Sequence, residues 1–251
     1  MSGFPYDMIL DDRPPLGLIV LQVDETIESD FRRLFPDPAQ AVHVSRIPSG
    51  VELTTGTIAQ MAIDLPRAAA LLPQAPEFAA VGYGCTSGTT LIGADLVAGM
   101  VAGGCRTRAV CNPLTAAQSA CRRLGIGSLA VVSPYTTDIA QPVCDAFVAA
   151  GITVPRAVHF GEEVEANVAR IAPASLYAAA LDAARGSKVE GIFISCTNLK
   201  TLEVIPRLEA ELGVPVFGSN LALAWAMAEA AGIQCADPGG MALLQGSRLA
   251  G

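Results

Sequence analysis

Short, wholly apolar runs recur along this chain between longer Ala-rich stretches of helical period, and that alternation limits the fold more than any single residue does. The runs are LGLIVLQ (16–22), FAAVGYG (78–84), TRAVCN (107–112), SLAVVSP (128–134), VEGIFIS (189–195) and VPVFGS (214–219). A strand that is apolar at every position, rather than at alternate ones, is covered on both faces, as parallel strands are. The intervening stretches, such as TTGTIAQMAIDLPRAAALL and ASLYAAALDAARGS, read as helices, the first with threonines placed to cap it. Strand alternating with helix predicts βαβ units with parallel sheet and right-handed crossovers. Segments 43–53 and 155–175 carry no such run and read as loops of unassigned course.

The order of these segments repeats. Gly17, opening the first run, precedes Cys85 by 85 − 17 = 68 residues, and Gly127, opening the fourth, precedes Cys196 by 196 − 127 = 69. Both cysteines end an apolar run, both are followed by threonine, and a further run follows each, ending near Asn112 and Asn220. The pattern predicts an internal duplication: an α/β fold of two pseudo-symmetric Rossmann-like halves, each a parallel sheet flanked by helices. Residues 1–114 form the first half, joined by a returning C-terminal segment of about 222–251, and residues 115–221 form the second. Ligands of open parallel sheets bind at the carboxyl ends of the strands, so the active site is expected in the crevice between the halves, with Cys85 and Cys196 meeting across it.

Composition narrows the function. With 51% hydrophobic and 16% charged residues the chain has ample material for a core, and its net charge of −8 argues against nucleic-acid or anionic-membrane partners. The acidic, Pro-containing N-terminus MSGFPYDMILDDRPPLG lacks the basic and apolar regions of a signal peptide, and no run is long enough to span a bilayer, so the expected location is cytoplasmic. Seven cysteines without a C-x-x-C pair fit neither a disulfide framework nor a zinc ribbon, and no metal is expected.

A cysteine at a strand end that opens a helix is placed where N–H groups favour the thiolate, which can bring its pKa below the free value of about 8.5. Two such groups on opposite sides of a planar carbanion or alkene supply one sulfur to take a proton or attack and another to return a proton from the far face. The small polar neighbours, Thr86 and Ser87 after Cys85 and Thr197 and Asn198 after Cys196, offer backbone N–H groups for a carboxylate or an enediolate oxygen. Cys105, Cys111, Cys121, Cys144 and Cys235 lack this matched context and read as small core hydrophobes. Tyr135, ending the fourth run, is placed to hydrogen-bond a substrate oxygen or to pack against a helix. Asp24 and Glu25, following the first, could bind a substrate amine or simply start a helix. Glu162, Glu163 and Glu165 read as a solvated acidic turn, and His43 and His159 as lying away from the strand ends, which leaves a Cys–His hydrolase without a base.

The stretches GCTSGTTL, SCTNLKTLEVIPRLEAELGVPV and VVSPYTTDI together resemble the aspartate/glutamate racemase superfamily, most closely its maleate cis-trans isomerase and arylmalonate decarboxylase branch, from about Pro15 to Gly240. LQVDETIE and GCTSGT are further similar to the racemase-like proteins of ectoine-utilisation clusters. The resemblance implies that Cys85 is the cysteine that adds to the double bond in maleate isomerases and is glycine in arylmalonate decarboxylases. It implies that Cys196 is the proton donor, that Thr86 and Ser87 hold the substrate carboxylate and Tyr135 hydrogen-bonds it, and that no cofactor is used. Amino-acid racemases of the superfamily read Cys-Asn-Thr and Cys-Thr-His at these places. Here the triplets are Cys-Thr-Ser and Cys-Thr-Asn, with Asn198 where a histidine would assist. Asp24 stands where maleate isomerases carry a carboxylate-binding asparagine; it would repel a second carboxylate and favour an amino or amide group.

The expected function is thus a cofactor-independent isomerase, a racemase or a cis-trans isomerase, of a small carboxylate, in ectoine or amino-acid-derivative catabolism. The alternatives are an arylmalonate-type decarboxylase that protonates through Cys196, a hydantoin or amino-acid racemase, and a ligand-binding regulator without turnover. A homodimer or larger closed assembly is the ordinary expectation for such an enzyme.

Overall fold

Parallel pairing of the 16–22 run with the 78–84 run creates the centre of one sheet, and the 128–134 and 189–195 runs do the same in a second. The computed structural model describes residues 4–8, 13–52, 54–186 and 188–245. The elements of the first sheet and its helices are β1 (Leu16–Leu21), α1 (Ile27–Leu34), β2 (Val42–Ile47), α2 (Thr55–Ala70), β3 (Ala80–Gly84), α3 (Thr86–Ile92), α4 (Ala94–Gly104), β4 (Val110–Cys111) and α5 (Pro113–Leu124). The second set is β5 (Ser128–Ser133), α6 (Thr137–Ala149), β6 (Thr153–His159), α7 (Glu165–Val168), α8 (Pro173–Ala184), β7 (Gly191–Ile194), α9 (Ile205–Leu212), β8 (Val216–Gly218) and α10 (Ser219–Ala231), followed by α11 (Ala242–Gln245). Strand orders are β2-β1-β3-β4 and β6-β5-β7-β8, all parallel, so the duplication read from the cysteine spacing is a duplication of topology. Among the described residues, no helix is long and apolar enough to cross a membrane.

Every residue of β1, β3, β7 and β8 is buried, which is why these strands were legible as unbroken apolar runs. The edge strands β2 and β6 were not. Their side chains alternate between partly buried or buried and exposed positions, and the polar half of VHVSRI and TVPRAVH breaks the apolar run. They occupy part of the 43–53 and 155–175 segments read as loops. The 107–112 run is also shorter than expected: β4 has two residues, preceded by an isolated bridge between Phe78 and Thr107.

Thr54 caps α2 through a reciprocal pair, its Oγ1 accepting the Thr57 N–H at 3.1 Å while Thr57 Oγ1 accepts the Thr54 N–H at 2.9 Å. Helix α10 crosses back onto the first sheet and packs on β3. A Cβ on Gly82 would come within 2.5 Å of Met227 Sδ, so glycine is what lets the helix lie this close. The chain after it touches the first half, Ala236 N–H donating to Leu34 O at 2.8 Å, and then returns to the second, where Ala242 N–H donates to Glu209 Oε2 of α9 at 3.1 Å. Of the terminal stretches in the sequence reading, residues 1–3, 9–12 and 246–251 lie outside the described residues.

Candidate active site

In each sheet the chain leaves the second-position strand for the edge and returns on the other side, so the crossovers diverge at the carboxyl ends of β1 and β3 and of β5 and β7. That divergence is where open α/β sheets bind ligands. Asp24 follows β1 and Cys85 follows β3; Tyr135 follows β5 and Cys196 follows β7. The spacings agree, 135 − 24 = 111 and 196 − 85 = 111, so Asp24 and Tyr135 hold equivalent positions and so do the two cysteines.

Hydrogen bonds between the halves draw these strand ends together. Ser219, first residue of α10, accepts the Cys196 N–H at 3.0 Å and shares a 2.8 Å bond with Thr86 Oγ1, the residue after Cys85. In the matching position Thr197 Oγ1 donates to Gly84 O, the residue before Cys85, at 3.2 Å. Asn220 Nδ2 donates to Thr197 O and to Asp30 Oδ2, both at 2.8 Å. Burial raises the Tyr135 phenol first, and both thiols lie close enough to raise it further; the Glu165 carboxyl likewise acts on both thiols. The cluster is enclosed: Cys85 is 3% exposed, Cys196 6%, Asp24 3% and Tyr135 3%.

Local structure explains how each sulfur is held. Cys85 is the N-cap of α3, and its Sγ accepts the Gly88 N–H at 3.2 Å, with Ser87 Oγ at 3.7 Å. A Cβ at position 88 would sit 2.8 Å from that sulfur, so the glycine is needed for the bond. Cys196 has φ +120°, the one positive φ at a non-glycine among the described residues. Strain of this kind persists only where surroundings over-determine the backbone, here through the Ser219 bond.

The thiolate expectation is corrected by burial. Desolvation pushes the Cys85 thiol up to about 11, against the pull of Gly88 N–H and Ser87. Cys196 is raised well above its ordinary value, first by burial and then by the Glu165 charge, with Asn198 N–H and Tyr135 opposing. Burial thus disfavours the thiolate at both sulfurs.

Glu165 corrects the reading of a solvated acidic turn. Glu163 is exposed, but Glu165 is 5% exposed and faces the cysteines, its carboxyl raised to about 7 by burial and by Asp24, with Asn198 opposing. Asp24 is also raised, mainly by burial, although Thr26 and Ile27 N–H both donate to its Oδ1 at 2.8 and 2.9 Å. Its second oxygen, Oδ2, is buried outside direct hydrogen-bond geometry, and the nearby Thr197 hydroxyl also pulls the carboxyl down. Asn198 engages backbone on all sides: Oδ1 accepts Glu25 N–H at 2.8 Å, and Nδ2 donates to Val23 O at 3.4 Å and Glu165 O at 3.1 Å. It braces the β1–α1 turn against the Glu165 segment. His159 also departs from its reading, since it ends β6 at the carboxyl edge with Nδ1 2.8 Å from Ser133 Oγ. His43 packs edge-on against Phe78.

Two loops roof the crevice. Glu165 N–H donates to Val51 O at 3.1 Å, and Glu52 and Val164 form an isolated antiparallel bridge. Beside them Glu52, Thr54, Thr136, Asp138 and Glu163 line a depression of about 210 Å³ next to Tyr135. Ser219 and Glu165 were missed as site residues. Ser219 was discoverable as the residue ending the last apolar run, whereas Glu165 lies in a segment whose sequence has no strand or helix period.

The sequence profile described as arylmalonate decarboxylase matches residues 93–244. The arylmalonate decarboxylase of Bordetella bronchiseptica is 30% identical over 229 residues, 87% of this chain and 91% of that protein. The chain belongs to the arylmalonate decarboxylase family. This family member also shares its fold with maleate isomerases. The Pseudomonas putida S16 maleate isomerase Iso, a cysteine-to-alanine variant with maleate, superposes with a TM-score of 0.81 at 24% identity, covering 95% of this chain and 100% of that one. The Nocardia farcinica maleate cis-trans isomerase, a cysteine-to-serine variant with a covalently bound succinylcysteine intermediate, gives 0.80 at 22%, covering 95% and 99%. These relationships place the chain in the arylmalonate decarboxylase family, with a fold that maleate isomerases share.

Proposed function

We propose that the protein is an isomerase of a small carboxylate in which Cys85 and Cys196 form the working thiol pair. The observation that carries this reading is the gathering of two topologically equivalent strand-end cysteines into one enclosed cluster, laced by the Thr86–Ser219–Cys196 and Thr197–Gly84 hydrogen bonds. Cys85 has the N–H and hydroxyl partners that suit a thiolate, whereas Cys196, raised by burial and by the Glu165 charge, is kept in the protonated form that a donor needs. First-turn N–H groups of α3, at Thr86 and Ser87, have no intrahelical acceptor and offer a carboxylate cradle. The Tyr135 hydroxyl, beside both sulfurs, supplies a further donor.

In a racemisation, Cys85 thiolate removes a proton from the carbon beside the carboxylate, giving an enediolate, and the Cys196 thiol protonates the opposite face. In a cis-trans isomerisation, Cys85 sulfur adds to one alkene carbon while Cys196 protonates the other; rotation about the resulting single bond and elimination regenerate both groups. The covalent succinylcysteine of the Nocardia relative supports the second path. Either path begins with one thiol ionised, so binding must offset the desolvation that holds both neutral.

Cys85→Ala and Cys196→Ala should each lower turnover by about a thousandfold or more, on the scale of losing a nucleophile or a general acid, with the fold retained. Undiminished turnover in both would reject the thiol pair. A decarboxylase is the second reading, favoured by the family profile and the Bordetella relative. Carbon dioxide release from a disubstituted malonate, dependent on Cys196 and indifferent to Cys85, would establish it instead.

A further inference from the structure

We infer that Tyr83, sealed behind Cys85 in the first sheet, is the hydroxyl donor that stabilises the Cys85 thiolate and so makes Cys85, rather than Cys196, the sulfur that ionises. This rests on the thiol-pair reading above and adds what breaks the equivalence of its two members.

Tyr83 lies in β3, two residues before Cys85, and is fully buried. Gly88, in the first turns of α3, sits against both side chains: a Cβ there would be 2.7 Å from the Tyr83 hydroxyl and 2.8 Å from Cys85 Sγ. The missing side chain is thus the space across which phenol and sulfur face each other. A buried tyrosine hydroxyl ordinarily finds an oxygen or nitrogen partner. Among the described residues, the acceptor in contact with this one is Met61 Sδ at 3.9 Å, a thioether and a weak acceptor. A thiolate beside it is the strong acceptor that the hydroxyl otherwise lacks. Burial, and then Cys85 itself, raises the phenol, so it keeps the proton it has to donate.

The duplication supplies the contrast. Counting 111 residues on, the separation of the two cysteines, Tyr83 corresponds to Ile194 and Gly88 to Leu199. Both are buried hydrocarbon, so the second half has neither the phenol nor the room for one. The other groups around the sulfurs do not reproduce this difference. Burial raises Cys85, the Gly88 N–H, the Ser87 hydroxyl and Tyr83 pull it down, and the Glu165 charge opposes them. Burial raises Cys196 too, followed by Glu165 and Asp24, with the Asn198 N–H and Tyr135 opposing. Tyr135 stands beside both sulfurs and Glu165 acts on both. Tyr83 adjoins one.

The test uses the purified full-length protein and Tyr83→Phe, which keeps the ring and removes the hydroxyl. Both are treated with iodoacetamide over a pH series from about 6 to about 10, and peptide mass spectrometry follows alkylation of Cys85 and Cys196 in the same samples, each rate tracking the thiolate fraction. We expect Cys85 alkylation in Tyr83→Phe to fall about tenfold at each pH, a shift of its profile by about one pH unit, while the Cys196 profile stays in place. A second variant carries 3-fluorotyrosine at position 83, a stronger donor of nearly the same size. It should speed Cys85 alkylation severalfold above the parent, a change of opposite sign that loosened packing does not predict. It also carries the test if Tyr83→Phe fails to fold, as judged by circular dichroism.

Unchanged Cys85 alkylation in the folded Phe variant would overturn the inference, as would an equal slowing of both cysteines, which marks a structural role. A slower Cys85 in the fluorotyrosine protein would overturn it as well. Alkylation needs no substrate, so these outcomes bear on Tyr83 alone and spare the thiol pair; turnover surviving both cysteine substitutions rejects the thiol pair itself.

Discussion

The Ser219 hydroxyl accepts the buried N–H of Cys196 at 3.0 Å, so the start of α10, which follows β8, fixes the backbone of the cysteine that follows the neighbouring strand β7. The same oxygen bonds Thr86, which makes Ser219 the joint between the two cysteine loops. Ser219→Ala leaves the Cys196 N–H unpaired and should cost about 1–3 kcal/mol of stability. Turnover should drop as well, because Cys196 loses its anchor. Urea unfolding and steady-state rates measure both; an unchanged urea midpoint would show the bond to be dispensable.

Strain at Cys196 gives an order between two substitutions. At φ +120° an alanine retains the steric penalty and a glycine does not. Cys196→Gly should be more stable than Cys196→Ala by about 1 kcal/mol, the lower end of what a strained φ costs, while both are inactive. Thermal unfolding in the same buffer decides it, and the reverse order would remove the strain argument.

Stability should fall as pH rises through neutrality, owing to two buried carboxyls. Glu165 goes from 4.5 to about 7 on folding, and Asp30 from 3.8 to about 6, both mainly through burial. Since the folded values are higher, their contribution is complete below the unfolded values and is lost as pH rises through about 6 and 7. Glu165→Gln is fixed in the neutral form, so it should stabilise the protein at pH 8 by on the order of 2–3 kcal/mol and change little at pH 4. Melting temperatures of the variant and the parent across that range test the sign; a gain independent of pH would contradict it.

The roof over the crevice should have to open for turnover. Glu52 and Val164 face each other across the antiparallel bridge, at a separation a disulfide can nearly span. The double variant Glu52→Cys, Val164→Cys should lose at least about tenfold of its rate on oxidation and regain it with reductant, as for other closing loops. Neither single variant should respond. Full activity in the oxidised double variant would mean that substrate enters elsewhere, such as beside Thr136.

What was legible in the sequence follows from where each segment lies in its sheet. Central strands covered on both faces must be apolar throughout, so β1, β3, β5 and β7 announced themselves, and the nearly equal spacing of Cys85 and Cys196 behind Gly17 and Gly127, 68 and 69 residues, exposed the duplication. Edge strands β2 and β6 keep a polar side toward solvent and carried no comparable signal.

From the chain alone came the α/β class, the repeat, the strand ends bearing Asp24, Cys85, Tyr135 and Cys196, and the likeness to one branch of a superfamily, because periodicity and spacing are local properties that survive unfolding. Tertiary structure alone decided that burial raises both thiols, that Glu165 turns inward toward the cysteines, and that Asn198 serves as a brace. Those outcomes depend on desolvation and on hydrogen bonds such as Glu25 to Asn198, between residues far apart in sequence, and no local pattern of residues encodes them.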